Sequence, residues 1–89
     1  MFINKSTDNR NNVCGKQVEL CRKKMGYSQR HLADMLQLAG LDIDKNAIQR
    51  IEAGKRFVTD IELIYLSNVL HLSYNQLLNN STENHTNDI

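Results

Sequence analysis

Four polar side chains recur at helical spacing near the middle of the chain, and all four types can hydrogen-bond to nucleic-acid bases. They are Lys45, Asn46, Gln49 and Arg50. Spacings of one, three and four residues place them on one surface of a helix. Arg and Lys can donate to the edge of guanine, and Asn and Gln can pair with adenine. The pattern is typical of a base-contacting helix, and also of a helix face that is merely solvated.

A second group of residues is suited to phosphate. Gln29 and Arg30 follow Ser28 at the start of a predicted helix, where backbone N–H groups and the helix dipole favour anions. Lys55 and Arg56 directly follow the helix of the four polar residues. Phosphate contacts position a protein on a duplex, whereas base contacts carry the sequence information. The candidate phosphate contacts are Ser28, Gln29, Arg30, Lys55 and Arg56.

Two amphipathic helices must hold these side chains. The earlier one begins at Ser28, an N-cap residue type, and the later one begins at Asp44 and ends at Gly54. The apolar positions of the earlier helix recur at helical spacing, as expected of one buried face. Its inward residues are Leu32, Ala33, Met35 and Leu36, and those of the later helix are Ala47, Ile48 and Ile51.

Several segments resemble the lambda-repressor-like, or Cro/C1 and XRE type, helix-turn-helix DNA-binding domain. The resemblance covers roughly residues 13 to 78, and the matching segments are Gly26-Tyr27-Ser28-Gln29, Leu32-Ala33, Ile48 through Arg56, Leu70-His71-Leu72-Ser73 and Leu77-Leu78. It implies that Gln29 contacts phosphate and that the four polar residues face the major groove. It also implies a structural ion pair between Arg22 and Glu52, which links the first and third helices.

The connection between the two helices departs from that family. It is longer than the compact turn of the phage repressors, so we expect the earlier helix to extend to Ala39 and stop at a left-handed Gly40. Leu41 and Ile43 are then expected to pack inward over the turn.

The rest of the pattern predicts an all-α, compact five-helix bundle in which helices 2 and 3 form the helix-turn-helix. The first helix is predicted over residues 13–25, and capping boxes predict that the fourth begins at Thr59 and the fifth at Ser73. Their inward residues are predicted to be Ile61, Leu63, Leu66, Ser67, Leu70, Leu77 and Leu78. The DNA-binding domain is assigned to residues 13–78, and the polar segments 1–12 and 79–89 are expected to be flexible tails.

Charge divides the chain into two parts. The formal net charge is only +1, but all 11 Lys and Arg residues lie at or before Arg56. Six acidic residues share that part, which leaves it at +5, whereas four acids and no Lys or Arg follow, at −4. The first part is therefore suited to phosphate, and the second need not contact it.

Other classes find little support in the sequence. No apolar stretch is long enough to span a bilayer and no secretory signal is recognisable, so we expect a cytoplasmic protein. His31, His71 and His85 lie far apart, and no Cys or His pair has the spacing of a zinc site. Without a Gly-rich phosphate loop or a nucleophile motif either, neither an enzyme, a bound metal nor a cofactor is expected.

The hypothesis that follows is sequence-specific binding of double-stranded DNA by a transcriptional regulator, most simply a repressor that occludes other factors. The alternative is a protein-interaction module, such as the antitoxin of a toxin–antitoxin pair or an adaptor that does not bind DNA. Apolar residues beyond the needs of the core could form such a surface or a homodimer contact. They are Phe57, Val58, Ile64 and Val69.

Overall fold

The computed structural model describes residues 4–79, which contain five helices and no strand. The helices are α1 (Gly15–Lys24), α2 (Gln29–Ala39), α3 (Lys45–Glu52), α4 (Asp60–Leu70) and α5 (Tyr74–Leu77). The predicted all-α class is confirmed. No helix in this part of the chain is both long and apolar enough to cross a membrane.

Side-chain caps determine where four of the helices begin. Ser28 Oγ accepts from a backbone N–H in the first turn of α2 at 2.9 Å, and Asp44 Oδ1 does the same for α3 at 2.8 Å. Thr59 and Ser73 begin α4 and α5 with complete capping boxes. These caps satisfy N–H groups that have no partner within the helix. The predicted starts of α2 to α5 are therefore confirmed.

The connection between α2 and α3 is ordered by local contacts. Gly40 ends α2 with a φ of 113°, a backbone conformation that strains any residue with a Cβ. Gln37 Nε2 then donates to the Ile43 carbonyl at 2.6 Å, and the Ile43 side chain is only 4% exposed. Leu41 is half-buried against the core. The extension of α2 to Ala39 and the inward packing of this turn are as predicted.

One apolar core joins all five helices, with α2 packed against both α3 and α4. Each fully buried Leu or Ile contributes about 1.5–3 kcal/mol relative to an exposed side chain. The largest fully buried side chains are Leu32, Leu36, Ile48, Ile51, Leu66, Leu70, Leu77, Val18 and Cys14. The core therefore lies behind α3 and leaves the outer face of that helix free.

Two predicted core residues are exposed instead. Ile61 is 61% exposed, because five residues separate it from buried Leu66, a rotation of about 140° around the helix. Leu78 is 48% exposed, since it follows the last residue of α5 and only its neighbour Leu77 faces the core. The predicted apolar stripe was too wide at both places.

The N-terminal boundary also differs from the expectation. Residues 10–12, which were assigned to a flexible tail, hydrogen-bond to the C-terminal end of α3 and to the loop that follows it. Ordered contacts with the domain therefore begin before Val13. Apart from Asn79, the predicted C-terminal tail lies outside the described residues, as do residues 1–3.

Candidate nucleic-acid interface

The four candidate base-contacting side chains lie exposed on the outer surface of α3. They are Lys45, Asn46, Gln49 and Arg50. On the opposite side of the same helix, Ile48 and Ile51 are 0% exposed. An eight-residue helix with one completely buried side has its rotation about its own axis fixed by the core. The four polar groups consequently point away from the protein together.

A buried carboxylate holds the C-terminal end of α3. Glu52 accepts from Arg22 Nε at 2.7 Å and from Arg22 Nη2 at 3.0 Å, and its Oε1 also accepts from Gln29 Nε2 at 3.0 Å. The side chains of Glu52 and Arg22 are only 4% and 9% exposed. The two residues that the resemblance pairs therefore form a two-pronged ion pair in the interior.

This ion pair ties three helices together. Arg22 lies on α1, Gln29 begins α2 and Glu52 ends α3, and Arg22 Nη1 also donates to the Tyr27 carbonyl at 2.8 Å. The hydrogen bond to Glu52 raises the pKa of the Arg22 guanidinium above its usual value. Paired charges of this kind are compensated, but removal of either partner leaves an uncompensated charge in the interior. The first turn of α2 and the last turn of α3 are thus held beside each other.

The candidate phosphate contacts fall into two sets. Arg30 and Lys55 are exposed, one in the first turn of α2 and the other just after α3. Ser28 is exposed but its Oγ already caps α2, and the Gln29 amide is engaged by Glu52. Arg30 and Lys55 are therefore the basic side chains of this group that extend into solvent.

Arg56 occupies a different environment from the one expected of a phosphate contact. Its guanidinium forms a two-pronged ion pair with Glu62, with distances of 2.9 and 3.0 Å. Glu62 also accepts from the Thr59 N–H in the capping box of α4. Burial raises the pKa of the Glu62 carboxyl, but the hydrogen bonds from Arg56 and Thr59 outweigh it, and the net shift is downward. Arg56 links the loop after α3 to the start of α4.

Sequence reasoning missed Arg10 and Asn12, which contact the carbonyl end of α3. Arg10 Nη2 donates to the Glu52 carbonyl at 2.7 Å, and Asn12 Nδ2 donates to the Ile51 carbonyl at 3.0 Å. One local signal was available for Asn12. Its Oδ1 accepts from the Gly15 N–H at 2.8 Å, a contact over three positions of the local kind that Asn side chains make to nearby backbone groups.

Among residues 4–79, no group of His, Cys, Asp and Glu side chains is arranged to hold a metal ion. The geometry of this region therefore consists of an exposed polar helix face, two exposed basic residues beside it, and a buried polar network behind it.

Comparison of the chain with protein-family models, with curated proteins and with solved structures finds no match.

Proposed function

We propose that this chain binds double-stranded DNA in a sequence-specific manner, with α2 and α3 acting as a helix-turn-helix and α3 lying in the major groove. The observation that carries the proposal is the outer face of α3, where four exposed side chains of base-pairing types project from a helix held by the core and by Glu52. A major groove about 12 Å wide admits one α-helix. Lys45, Asn46, Gln49 and Arg50 are then the candidates for contact with base edges.

Phosphate contacts in this proposal come mainly from Arg30 and Lys55. Both are exposed, and the hydrogen bond between Gln29 and Glu52 brings their two segments together. The backbone N–H groups in the first turn of α2 add donors that favour an anion. In the proposal, Gln29 and Ser28 contribute through that turn, and Arg56 supports the loop through Glu62. A bound domain of this kind would act as a transcriptional regulator, most simply as a repressor that blocks access to its site.

Selection of bound sequences from a random duplex pool tests the proposal. We expect a recoverable consensus, and affinity that falls steeply with salt, because neutralised phosphates release counterions. Lys55→Ala should weaken binding to the selected and the scrambled duplex alike. The slope of log affinity against log salt concentration should fall in magnitude by about 1. Recovery of no consensus, together with a flat salt response, would contradict DNA binding.

A second candidate function rests on the exposed apolar side chains of the C-terminal half. Phe57 is 57% exposed, Ile64 47% and Tyr74 51%, whereas Val58 and Val69 pack against the core. A protein-contact surface of this kind would suit an antitoxin, an adaptor or a homodimer. Two-fold dimers bind half-sites about 34 Å apart, so a palindromic consensus would indicate a homodimer. Sedimentation with and without the selected duplex separates the monomer from the dimer.

A further inference from the structure

The segment before α1 reaches across the molecule to the C-terminal end of α3. Arg10, Asn11 and Asn12, together called the N-terminal clamp here, hydrogen-bond to residues 39 to 44 positions later in the sequence. The last carbonyl groups of a helix have no partner within the helix, and a cation near them is favourable. The clamp supplies hydrogen-bond donors to these carbonyls of α3, and Arg10 also places a cation beside them.

Asn12 joins three segments with one side chain. Its Oδ1 accepts from the Gly15 N–H at the start of α1, while its Nδ2 donates to the carbonyls of Ile51 at 3.0 Å and Arg56 at 2.8 Å. The residue is 8% exposed. Because the amide uses its acceptor and its donors at once, no other side chain of this size reproduces the arrangement.

Arg10 covers the end of α3 and the turn that follows. Its Nη2 donates to the Glu52 carbonyl at 2.7 Å, and its guanidinium lies against Gly54. A Cβ placed on Gly54 would be 2.7 Å from Arg10 Cζ, and Gly54 itself has a φ of +78°. Asn11 completes the contact, since its N–H donates to the Gly54 carbonyl at 2.8 Å and its Nδ2 to the Lys55 carbonyl at 3.0 Å.

We propose that Arg10 and Asn12 are positioning residues for DNA recognition, because they fix the C-terminal end of α3 and the loop of residues 54–56 relative to α1. The inference rests on the proposed function of the α3 face. Arg50 lies in the last turn of α3, where Arg10 and Asn12 bind the backbone carbonyls of Glu52 and Ile51, so these contacts set the geometry of a candidate base contact. A bidentate base contact requires the side chain that makes it to be held at a closely defined position. Hydrogen bonds to the backbone behind that side chain hold it there.

The first test compares wild type, Arg10→Met and the charge-matched control Lys24→Met, which removes an exposed cation at the far end of α1. Affinities for a selected duplex and a scrambled one are measured across a salt series. For Arg10→Met we expect discrimination between the duplexes to fall about tenfold with the salt slope unchanged, as loss of a base contact would predict. Lys24→Met should retain the wild-type discrimination.

Two other results would overturn the inference. If Arg10→Met weakened binding to both duplexes equally and lowered the salt slope by about 1, Arg10 would be a phosphate contact. Unchanged discrimination in folded Arg10→Met would leave the clamp a purely structural element. Arg10→Lys provides the rescue, since it restores a cation at the end of α3 and should recover part of the discrimination.

Asn12→Asp and amide hydrogen exchange test the clamp further, the second of them without DNA. Asn12→Asp keeps the acceptor for Gly15 but replaces the Nδ2 donor by a carboxylate oxygen that faces the Ile51 and Arg56 carbonyls, so it should reduce discrimination at least as much as Arg10→Met. Amide hydrogen exchange should accelerate at Gly54 and Lys55 in both variants, and no acceleration there would overturn the clamp itself. If wild type discriminates no duplex, the proposed function fails and the recognition role with it, while the exchange rates still report on the clamp.

Discussion

The two halves of the described chain are held together by different kinds of interaction. Around the end of α3, the contacts are directional: Glu52 binds Arg22 and Gln29, and the N-terminal clamp occupies the helix carbonyls. In α4 and α5, buried Leu66, Leu70 and Leu77 face a core that has no preferred hydrogen-bond direction. Apolar packing fixes a helix in the fold, whereas buried hydrogen bonds also fix its orientation in detail.

This difference follows the distribution of charge. The polar network supports the half that carries every Lys and Arg residue, and the apolar half is the one without them. If α3 contacts base edges, the half that must meet a partner at defined atoms is the half held by directional contacts. Changes in the apolar half should therefore lower stability without loss of sequence discrimination, whereas changes in the half held by directional contacts can lower both.

The largest expected effect comes from Glu52→Gln. The substitution leaves the Arg22 guanidinium, 9% exposed, without a counter-charge, and we expect a loss of about 3 kcal/mol or more in the free energy of unfolding. Urea denaturation measures it. Glu19→Gln is the matched control, since it breaks the exposed Glu19–Lys23 pair and removes only a minor long-range attraction from Arg22, and it should cost less than about 1 kcal/mol. Equal losses in the two variants would contradict the role of Glu52.

Leu66→Ala tests the apolar half. The side chain is fully buried, so its truncation should cost about 2–5 kcal/mol in unfolding free energy. Discrimination between selected and scrambled duplexes should nevertheless persist under conditions where the variant is folded. Ile61→Ala, at a position 61% exposed, should change stability by no more than about 0.5 kcal/mol. A loss of sequence discrimination in folded Leu66→Ala would contradict the assignment of recognition to the half that is held by directional contacts.

The Arg56–Glu62 pair connects the two halves and should respond to acid. The pKa of Glu62 is lowered on folding. Its ionised carboxylate therefore stabilises the fold fully at a pH above the ordinary pKa of 4.5, and this stabilisation disappears as the pH falls through the folded pKa. Glu62→Gln should therefore lower stability at neutral pH and flatten its decline in acid. Melting temperatures measured against pH for both proteins give the comparison, and parallel curves would rule out this linkage.

The smallest effect concerns the two cysteines. Burial raises the pKa of the Cys14 thiol to about 11, so at pH 8 it should not react with an aromatic disulfide reagent while the protein is folded. Cys21 is only half-buried and should react first. One fast-reacting thiol and a second that appears only in urea are expected, whereas rapid reaction of both would indicate that the region around Cys14 opens readily.

Local signals explain which parts of this structure the sequence predicts. Ser28, Asp44, Thr59 and Ser73 cap helices through residues only three positions away, so composition and spacing are enough to place those helix starts. The periodicity of apolar residues likewise predicts which side of α3 is buried. The exposed position of Ile61 was not predicted, because a run of apolar residues in α4 does not say which of them faces the core.

Long-range contacts explain the rest. The N-terminal clamp lies in a polar stretch with the composition of a tail, and its partners are 39 to 44 residues away in the sequence. The pairing of Arg56 with Glu62 was missed for a related reason: a basic residue after α3 fits a phosphate contact equally well on composition. The resemblance to a known domain paired Arg22 with Glu52, which neither spacing nor charge would have done.

The measurement that tests the central claim most directly is the affinity of wild type and Arg50→Ala for the selected and scrambled duplexes. Arg50 is exposed on α3, and one good base contact is worth about 1–3 kcal/mol of discrimination. We predict that Arg50→Ala loses at least about fivefold in discrimination while its affinity for the scrambled duplex changes little. Equal loss of affinity for both duplexes would make Arg50 a phosphate contact and contradict base recognition by this residue of α3.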